Sequence, residues 1–409
     1  MIDQVLCTAP LASVLIDTHK GIRPCCYFQG NFMGNIKEQS ISEILSSDRW
    51  KQLKQKMYDK EWPSECLDCK KIEDDTGFSL RKAYLNGSID IEGWENGKLT
   101  YIEFNGSNIC NLACLHCHPG FSSRWVTDNK KARALAETLS PEKKERAHRF
   151  RSVVQLTDDT RFQTTRMHLP NPELVLANLK QLDLTNIRTI NFKGGEPCLN
   201  SETVTVLQHM DDQGLLGNIN VYITTNGTYI TDEIIALLAK SKHVEFLISV
   251  DGVGELFNYI RYGDAKFDDI EPVIARVNNL NNVKIRMSCS AMNYNAFNFV
   301  EIRDWKIKLS KKYDKIVRIG GFKNSVQSPA YLSMNTLSDD TRKQLIDYYT
   351  VNNVNNDFDH IITTLGNNYL GDDIHQQWVE YTELMESIRG NTILDLVPQL
   401  TSELKRNVR

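Results

Sequence analysis

From residue 99 onward the apolar positions follow two alternating rhythms. Short apolar-rich runs at 99–104, 188–192, 220–224, 244–250, 284–289 and 315–319 read as strands. Between them, stretches such as 201–213, 232–240 and 269–280 repeat apolar residues at helical spacing. Six such repeats predict an α/β fold built on a parallel sheet. Folds of that kind place their sites at the C-terminal ends of the strands.

Before residue 80 the rhythm is different. Residues 14–17 and 22–27 read as the two strands of a hairpin around His19-Lys20-Gly21. Ile41, Ile44, Leu45, Trp50, Leu53 and Met57 predict one helix over 42–58, and Pro63 stops it. Residues 86–98, which include Gly87, Gly93 and Gly97, read as a linker. The predicted organisation is a cysteine-rich α+β segment at 1–85, the linker, a βα-repeat domain at 99–335 and a helical extension at 336–409. A long interval at about 119–185 interrupts the repeat domain. Its charged stretch 130–151 reads as a solvated helix face or as a lid over the site. No chemistry is visible in the extension.

Composition narrows the class. With 48 basic and 52 acidic residues the formal net charge is -4, which argues against a nucleic-acid backbone as partner. No apolar run approaches the ~18–20 residues of a membrane span, and the first residues lack the basic and apolar regions of a signal peptide. A cytoplasmic location is expected, where thiols stay reduced. The 10 cysteines therefore call for another explanation than disulfides. Eight of them fall into two groups: Cys7, Cys25, Cys26, Cys66 and Cys69, then Cys110, Cys114 and Cys117. Metal or cluster binding explains such grouping. Cys198 and Cys289 stand alone and read as buried structural thiols.

The triad Cys110, Cys114 and Cys117 offers three thiolates within one loop after the first repeat strand. Three thiolates can grip three irons of a [4Fe–4S] cluster and leave the fourth iron open. Two alternatives stand beside that reading: a zinc site completed by His116 or His118, and a redox pair formed by Cys114 and Cys117. Further candidates end the next three strands. Gly194-Gly195-Glu196-Pro197 permits close backbone approach and adds a fixed carboxylate. Asn226 lies in Thr-Thr-Asn-Gly-Thr at 224–228, and Ser249 and Asp251 lie in Ser-Val-Asp-Gly at 249–252. Arg261 follows with a fork suited to a carboxylate.

In this order the motifs resemble the radical S-adenosylmethionine (SAM) superfamily over residues 99–322. The resemblance implies a partial (β/α)6, TIM-like barrel. It implies that Cys110, Cys114 and Cys117 ligate a [4Fe–4S] cluster whose open iron chelates SAM. Gly194, Gly195 and Glu196 would then meet the SAM amino group, with Pro197 shaping the turn. Ser249 and Arg261 would address the SAM carboxylate, and Asn226 and Asp251 the ribose. His116 sits where the family often has an aromatic residue beside the adenine.

The N-terminal segment, with Cys25-Cys26, Ser42-Glu43-Ile44 and the run Trp62 to Cys69, resembles a SPASM/twitch module. That module holds an auxiliary iron–sulfur cluster. Cys7, Cys25, Cys66 and Cys69 are the implied ligands, with Cys26 the competitor of Cys25; a zinc knuckle on the same thiolates is the alternative. The better-known modules of this kind follow the barrel, whereas this one precedes it and has cysteines for one cluster only.

The implied function is reductive SAM cleavage to a 5′-deoxyadenosyl radical, which abstracts hydrogen from a peptide, protein or small-molecule substrate. A reductant such as flavodoxin or ferredoxin would supply electrons. The alternatives are a non-catalytic iron–sulfur or zinc protein that carries electrons, and a radical SAM enzyme acting on RNA or a nucleotide-derived precursor. No general base stands out; Asp251 and the polar residues at 318–324 are candidates.

Overall fold

The computed structural model describes residues 5–87, 89, 94–138, 168–317 and 322–406. Seven strands form one sheet: β1 (Ser13–Asp17), β2 (Gly21–Arg23), β3 (Tyr101–Asn105), β4 (Thr189–Lys193), β5 (Asn220–Thr225), β6 (His243–Ser249) and β7 (Val283–Ser288). The order is β2-β1-β3-β4-β5-β6-β7, and every pairing is parallel except the β1–β2 hairpin. The sixth expected repeat strand contributes a single bridge, Ile316 to Ile285, and its last two residues lie outside the described ones.

Alternation along the strands sorts the two faces. Ile102 and Phe104 of β3, Ile190 and Phe192 of β4, Val221 and Ile223 of β5, and Val244, Phe246 and Ile248 of β6 are buried in one apolar cluster. Helices α5 (Ser201–Asp212), α6 (Asp232–Leu238) and α8 (Ile270–Asn278) add Val206, Met210, Ile234, Leu238, Val273 and Ile274 to it. Each such side chain removed from water contributes roughly 1.5–3 kcal/mol. The other face carries Glu103, Asn191, Lys193, Tyr222, Glu245 and Arg286, and is the polar interior of the partial barrel. Helix α7 (Glu255–Ile260) follows β6.

The N-terminal hairpin is part of this architecture. β1 pairs with β3 from Ser13–Tyr101 to Asp17–Asn105, so the sheet crosses the predicted linker without a break. Val14, Ile16, Trp50, Leu53 and Met57 belong to the same apolar cluster as the barrel strands. The second hairpin strand is shorter than expected. It ends at Arg23, before Pro24, which has no N–H to extend a ladder. The single helix expected at 42–58 is two: α1 (Ile41–Ser46) and α2 (Asp48–Tyr58). Ser47, at φ -63° and ψ 154°, ends the first, and its hydroxyl accepts from the Trp50 N–H to start the second. Helix α3 (Leu67–Thr76) then carries Cys69.

A second apolar cluster joins the rest. Helix α4 (Arg124–Glu137) opens the long interval; residues 139–151 of the expected charged stretch lie outside the described ones. Helices α9 (Phe299–Lys312), α10 (Asp339–Val351), α11 (Asp359–Leu365) and α12 (Asp372–Arg389) follow β7. Trp125, Tyr294, Phe299, Tyr349, Phe358, Trp378 and Tyr381 are buried together there. Among the described residues no helix is long and apolar enough to cross a membrane.

Candidate active site and cysteine centres

The cysteine triad leaves the C-terminal end of β3 on a segment that runs between the two cores. Leu112 and Cys114 are buried in the first apolar cluster, Ala113 and Leu115 in the second. The segment is held like an added strand. Ala113 N–H donates to Tyr262 O at 2.6 Å and Leu115 N–H to Ile260 O at 2.9 Å. Cys117 N–H donates to Cys114 O at 2.9 Å, closing the turn that brings the last thiol back towards the others.

Gly194-Gly195-Glu196 at the end of β4 presses against this loop. Gly194 has φ +101°, and a methyl group on Gly195 would lie 2.3 Å from Ile109 O. Glu196 N–H donates to that carbonyl at 2.7 Å. The buried Glu196 carboxylate accepts from Cys198 N–H at 3.0 Å, Thr225 Oγ1 at 2.6 Å and Asn226 N–H at 2.7 Å. It therefore staples the β4 and β5 loops together, a role the sequence did not announce. Burial raises its pKa, and its charge in turn raises that of Cys110.

Asn226 is similarly engaged. Its amide donates to Asn111 Oδ1 at 2.8 Å, its carbonyl oxygen accepts from Thr228 Oγ1 at 2.7 Å, and Asn111 donates to that hydroxyl at 3.0 Å. Asn111, inside the triad loop, was missed because nothing in its own neighbourhood points to β5. Ser249 is half-buried at the end of β6. Asp251 and Arg261, both buried, pair at 2.6 Å, and Arg261 Nη1 lies 3.7 Å from Cys114 Sγ. The Asp251 carboxylate also accepts from Ser290 N–H at 2.7 Å. His116 Nε2 is 3.7 Å from Asp251, and the buried Nδ1 has no hydrogen-bond partner among the described residues. Burial lowers His116 to about 4, so the ring is neutral near pH 7. Of the predicted base candidates, Asp251 is thus committed to Arg261, and residues 318–321 lie outside the described ones.

The structure also brings the distant N-terminal cysteines together. Cys7, Cys25, Cys66 and Cys69 line one cavity with Leu6, Trp62, Tyr84 and Arg81; Cys26 is not among its walls. Instead Cys26 faces the charges of Glu103 and Lys193 on the barrel's polar face. Beside the cavity Arg81 makes two bonds to Glu73, at 2.9 and 2.5 Å, and one to Leu6 O at 2.8 Å. Cys198 and Cys289 are buried in the cores.

The donor sets fit iron–sulfur clusters. Burial pushes Cys7, Cys66 and Cys117 up to about 12 and raises Cys25, Cys69, Cys110 and Cys114 as well; within each group, neighbouring thiols push further. Such thiols become thiolates when cationic iron offsets their repulsion. At the triad, the buried and unpartnered His116 Nδ1 is a polar atom left for a further ligand.

Comparison with known proteins agrees. Residues 104–293 match the Radical SAM superfamily, and residues 7–70 match SPASM, an iron–sulfur cluster-binding domain. The mycofactocin maturase MftC of Mycolicibacterium smegmatis is 26% identical over 141 residues, so the match spans 34% of this chain and 34% of that relative. Among solved structures, anSMEcpe with bound AdoMet is 17% identical, with a TM-score of 0.35 over 62% of this chain and 60% of that one. SuiB of Streptococcus suis bound to its precursor peptide SuiA is 16% identical, with a TM-score of 0.37 over 78% and 64%. The cofactors that follow are SAM, a SAM-binding [4Fe–4S] cluster and auxiliary iron–sulfur. Thiol chemistry, loop architecture and family match converge: residues 104–293 are a radical SAM superfamily domain, and a SPASM iron–sulfur domain at residues 7–70 stands in front of it.

Proposed function

We propose that this chain modifies a polar peptide by SAM-dependent radical chemistry, with Cys110, Cys114 and Cys117 holding the SAM-binding cluster. The observation that carries this reading is the seating of the triad loop on Gly195, with Glu196 N–H bonded to Ile109 O at 2.7 Å. When bound, the reduced cluster and SAM supply a 5′-deoxyadenosyl radical that takes a hydrogen atom from the substrate.

The chain's own residues orient and shield. Cys110, Cys114 and Cys117 would hold the cluster, and the Gly194-Gly195 turn lets the loop that carries them pack closely against the end of β4. Glu196 holds the loops that flank it. Ser249 and Arg261 are the proposed contacts of the SAM carboxylate, with Arg261 steadied by Asp251. Asn226 and His116 would flank the nucleoside. Cys7, Cys25, Cys66 and Cys69 would hold the auxiliary cluster inside an apolar cavity. A flavodoxin- or ferredoxin-type reductant would deliver the electron.

The polar barrel face supports a peptide. It displays Lys193 to Glu103 at 3.1 Å and Arg286 to Glu245 at 3.2 Å, with Asn191 on the same strand as Lys193 and Tyr222 on β5 between the two pairs. Both signs of charge and neutral amide partners suit a main chain with mixed side chains. Lys193 immediately precedes Gly194, and Cys26, which feels the charges of Glu103 and Lys193, follows Cys25, so the patch adjoins both proposed cluster sites along the chain.

The test is anaerobic reconstitution followed by SAM, dithionite and a pool of deuterated tryptic peptides. 5′-Deoxyadenosine should form and gain deuterium, and Cys114→Ala should form none. A protein carrying both clusters that releases no 5′-deoxyadenosine would overturn the reading. Product without deuterium would overturn only the peptide assignment.

A further inference from the structure

The C-terminal extension reaches the heart of the site. Three consecutive carbonyls of the triad loop, at Ala113, Cys114 and Leu115, are each capped by a side chain from outside the barrel strands. Arg389 Nη2 donates to Ala113 O at 2.6 Å, Trp125 Nε1 to Cys114 O at 2.9 Å, and Tyr381 Oη to Leu115 O at 2.7 Å. Two of the three donors come from α12. Arg389 is also fixed by Asp128 at 3.1 Å, with the two side chains 1% and 0% exposed, and its guanidinium lies 5.0 Å from the Trp125 ring and 4.7 Å from the Tyr262 ring.

This arrangement costs a great deal to build. Burying a guanidinium is costly unless it is paired; here Nε meets the Asp128 carboxylate, Nη2 a loop carbonyl and the plane two aromatic rings, while Nη1 has no hydrogen-bond partner among the described residues. The loop's N–H groups at Ala113 and Leu115 are already used on the opposite side, by Tyr262 and Ile260. The segment that carries Cys114 is thus clamped along both edges.

We propose that α12 is a clasp that fixes the geometry and tunes the potential of the SAM-binding cluster, with Tyr381 and Arg389 as positioning residues. The proposal rests on the triad's being that cluster's ligand set. A cation near a cluster stabilises its more negative, reduced form and so raises its reduction potential. Tyr381 and Trp125 limit the motion that would let a thiolate leave iron.

The experiment compares wild type, Tyr381→Phe, Arg389→Lys and Arg389→Gln in the full chain with both clusters reconstituted. The readouts are the midpoint potential of the site cluster, followed by EPR, and the rate of iron loss to a ferrous chelator. Tyr381→Phe keeps the ring and removes one hydrogen bond, and should speed iron loss from the site cluster about two- to tenfold while leaving the auxiliary cluster unchanged. Arg389→Gln should lower the site cluster's potential, and Arg389→Lys should restore part of that shift. Unchanged potential and iron-loss rate in folded variants would overturn the clasp. If Arg389→Gln does not fold, Tyr381→Phe decides alone. A Cys110, Cys114 and Cys117 triple alanine variant separates the two readings: if it keeps every EPR signal of wild type, the triad assignment itself fails.

Discussion

The two cysteine centres use one kind of atom in opposite ways. The triad is local in sequence: three thiols come from one loop of eight residues, which runs between the two apolar clusters and meets donors from the loops after β4 and β5, from Arg261 at the end of α7 and from α12. The N-terminal centre is dispersed: Cys7, Cys25 and the Cys66–Cys69 pair come from three segments that meet only after the hairpin and helices pack. Its walls are mainly apolar. A local set needs the fold for orientation and for what surrounds it; a dispersed set needs the fold in order to exist. The first arrangement suits a centre that must bind a second molecule, the second a centre that is enclosed.

The sharpest way to break the comparison is to delete one thiol at a time. Cys114→Ala should remove about four irons per chain and all 5′-deoxyadenosine formation. Cys66→Ala should remove about four irons as well yet leave SAM cleavage in the absence of substrate. Iron analysis beside product chromatography checks both. If both variants lost SAM cleavage equally with the site cluster's EPR signal intact, the division of labour would be wrong.

Next comes Gly195→Ala, which places a methyl group 2.3 Å from Ile109 O. Crowding of this kind costs about 1–3 kcal/mol, and the triad loop has to shift. A lower urea midpoint, weaker SAM binding and an unaltered auxiliary EPR signal are expected; an auxiliary signal that changes more than the site signal would contradict the separation of the two centres.

The adjacent pair offers a finer cut. Cys25→Ala should lose the auxiliary cluster, whereas Cys26→Ala should keep its iron, because only Cys25 lines the cavity. Equal iron loss in the two variants would mean that both thiols serve the cluster.

The smallest effect is electrostatic. Hydrogen bonds from Arg81 pull Glu73 from 4.5 down to about 2. A carboxyl depressed in the folded state contributes stability above its unfolded pKa and loses it as pH falls towards the folded value. Wild type should therefore lose an advantage over Glu73→Gln between about pH 4.5 and 2, measured as the difference in urea midpoints. A difference that stays constant across that range would remove the Arg81–Glu73 pair from the support of the N-terminal centre.

Much of the barrel was legible because period-two alternation and helical spacing are written into short windows. β5 and β6 fell where the pattern placed them. The motif loops were legible for a similar reason: glycines and cysteines at fixed spacing state a local geometry. What escaped were partnerships across the chain. Glu196 reads as a fixed acceptor for an ammonium group, and nothing in its own neighbourhood announces that its carboxylate binds Thr225 and Asn226. The tail reads as plain helices, yet Tyr381 and Arg389 hold carbonyls more than 260 residues away. A hydrogen-bond donor on an apolar helix face looks the same in sequence whether it meets water, a carbonyl or nothing.

Residue type and spacing were enough to state the chemistry on offer: three thiols in one loop, five more in a cysteine-rich segment, glycines where backbones must touch, and a repeating βα pattern to carry them. Those are short-range properties, set by residue type and spacing. The tertiary structure alone decided which of Cys25 and Cys26 joins the cavity, how β1 extends the barrel sheet, and that the last long helix closes on the triad loop. Each of these depends on packing between segments far apart in the chain, where buried polar groups must find partners and only the folded arrangement supplies them.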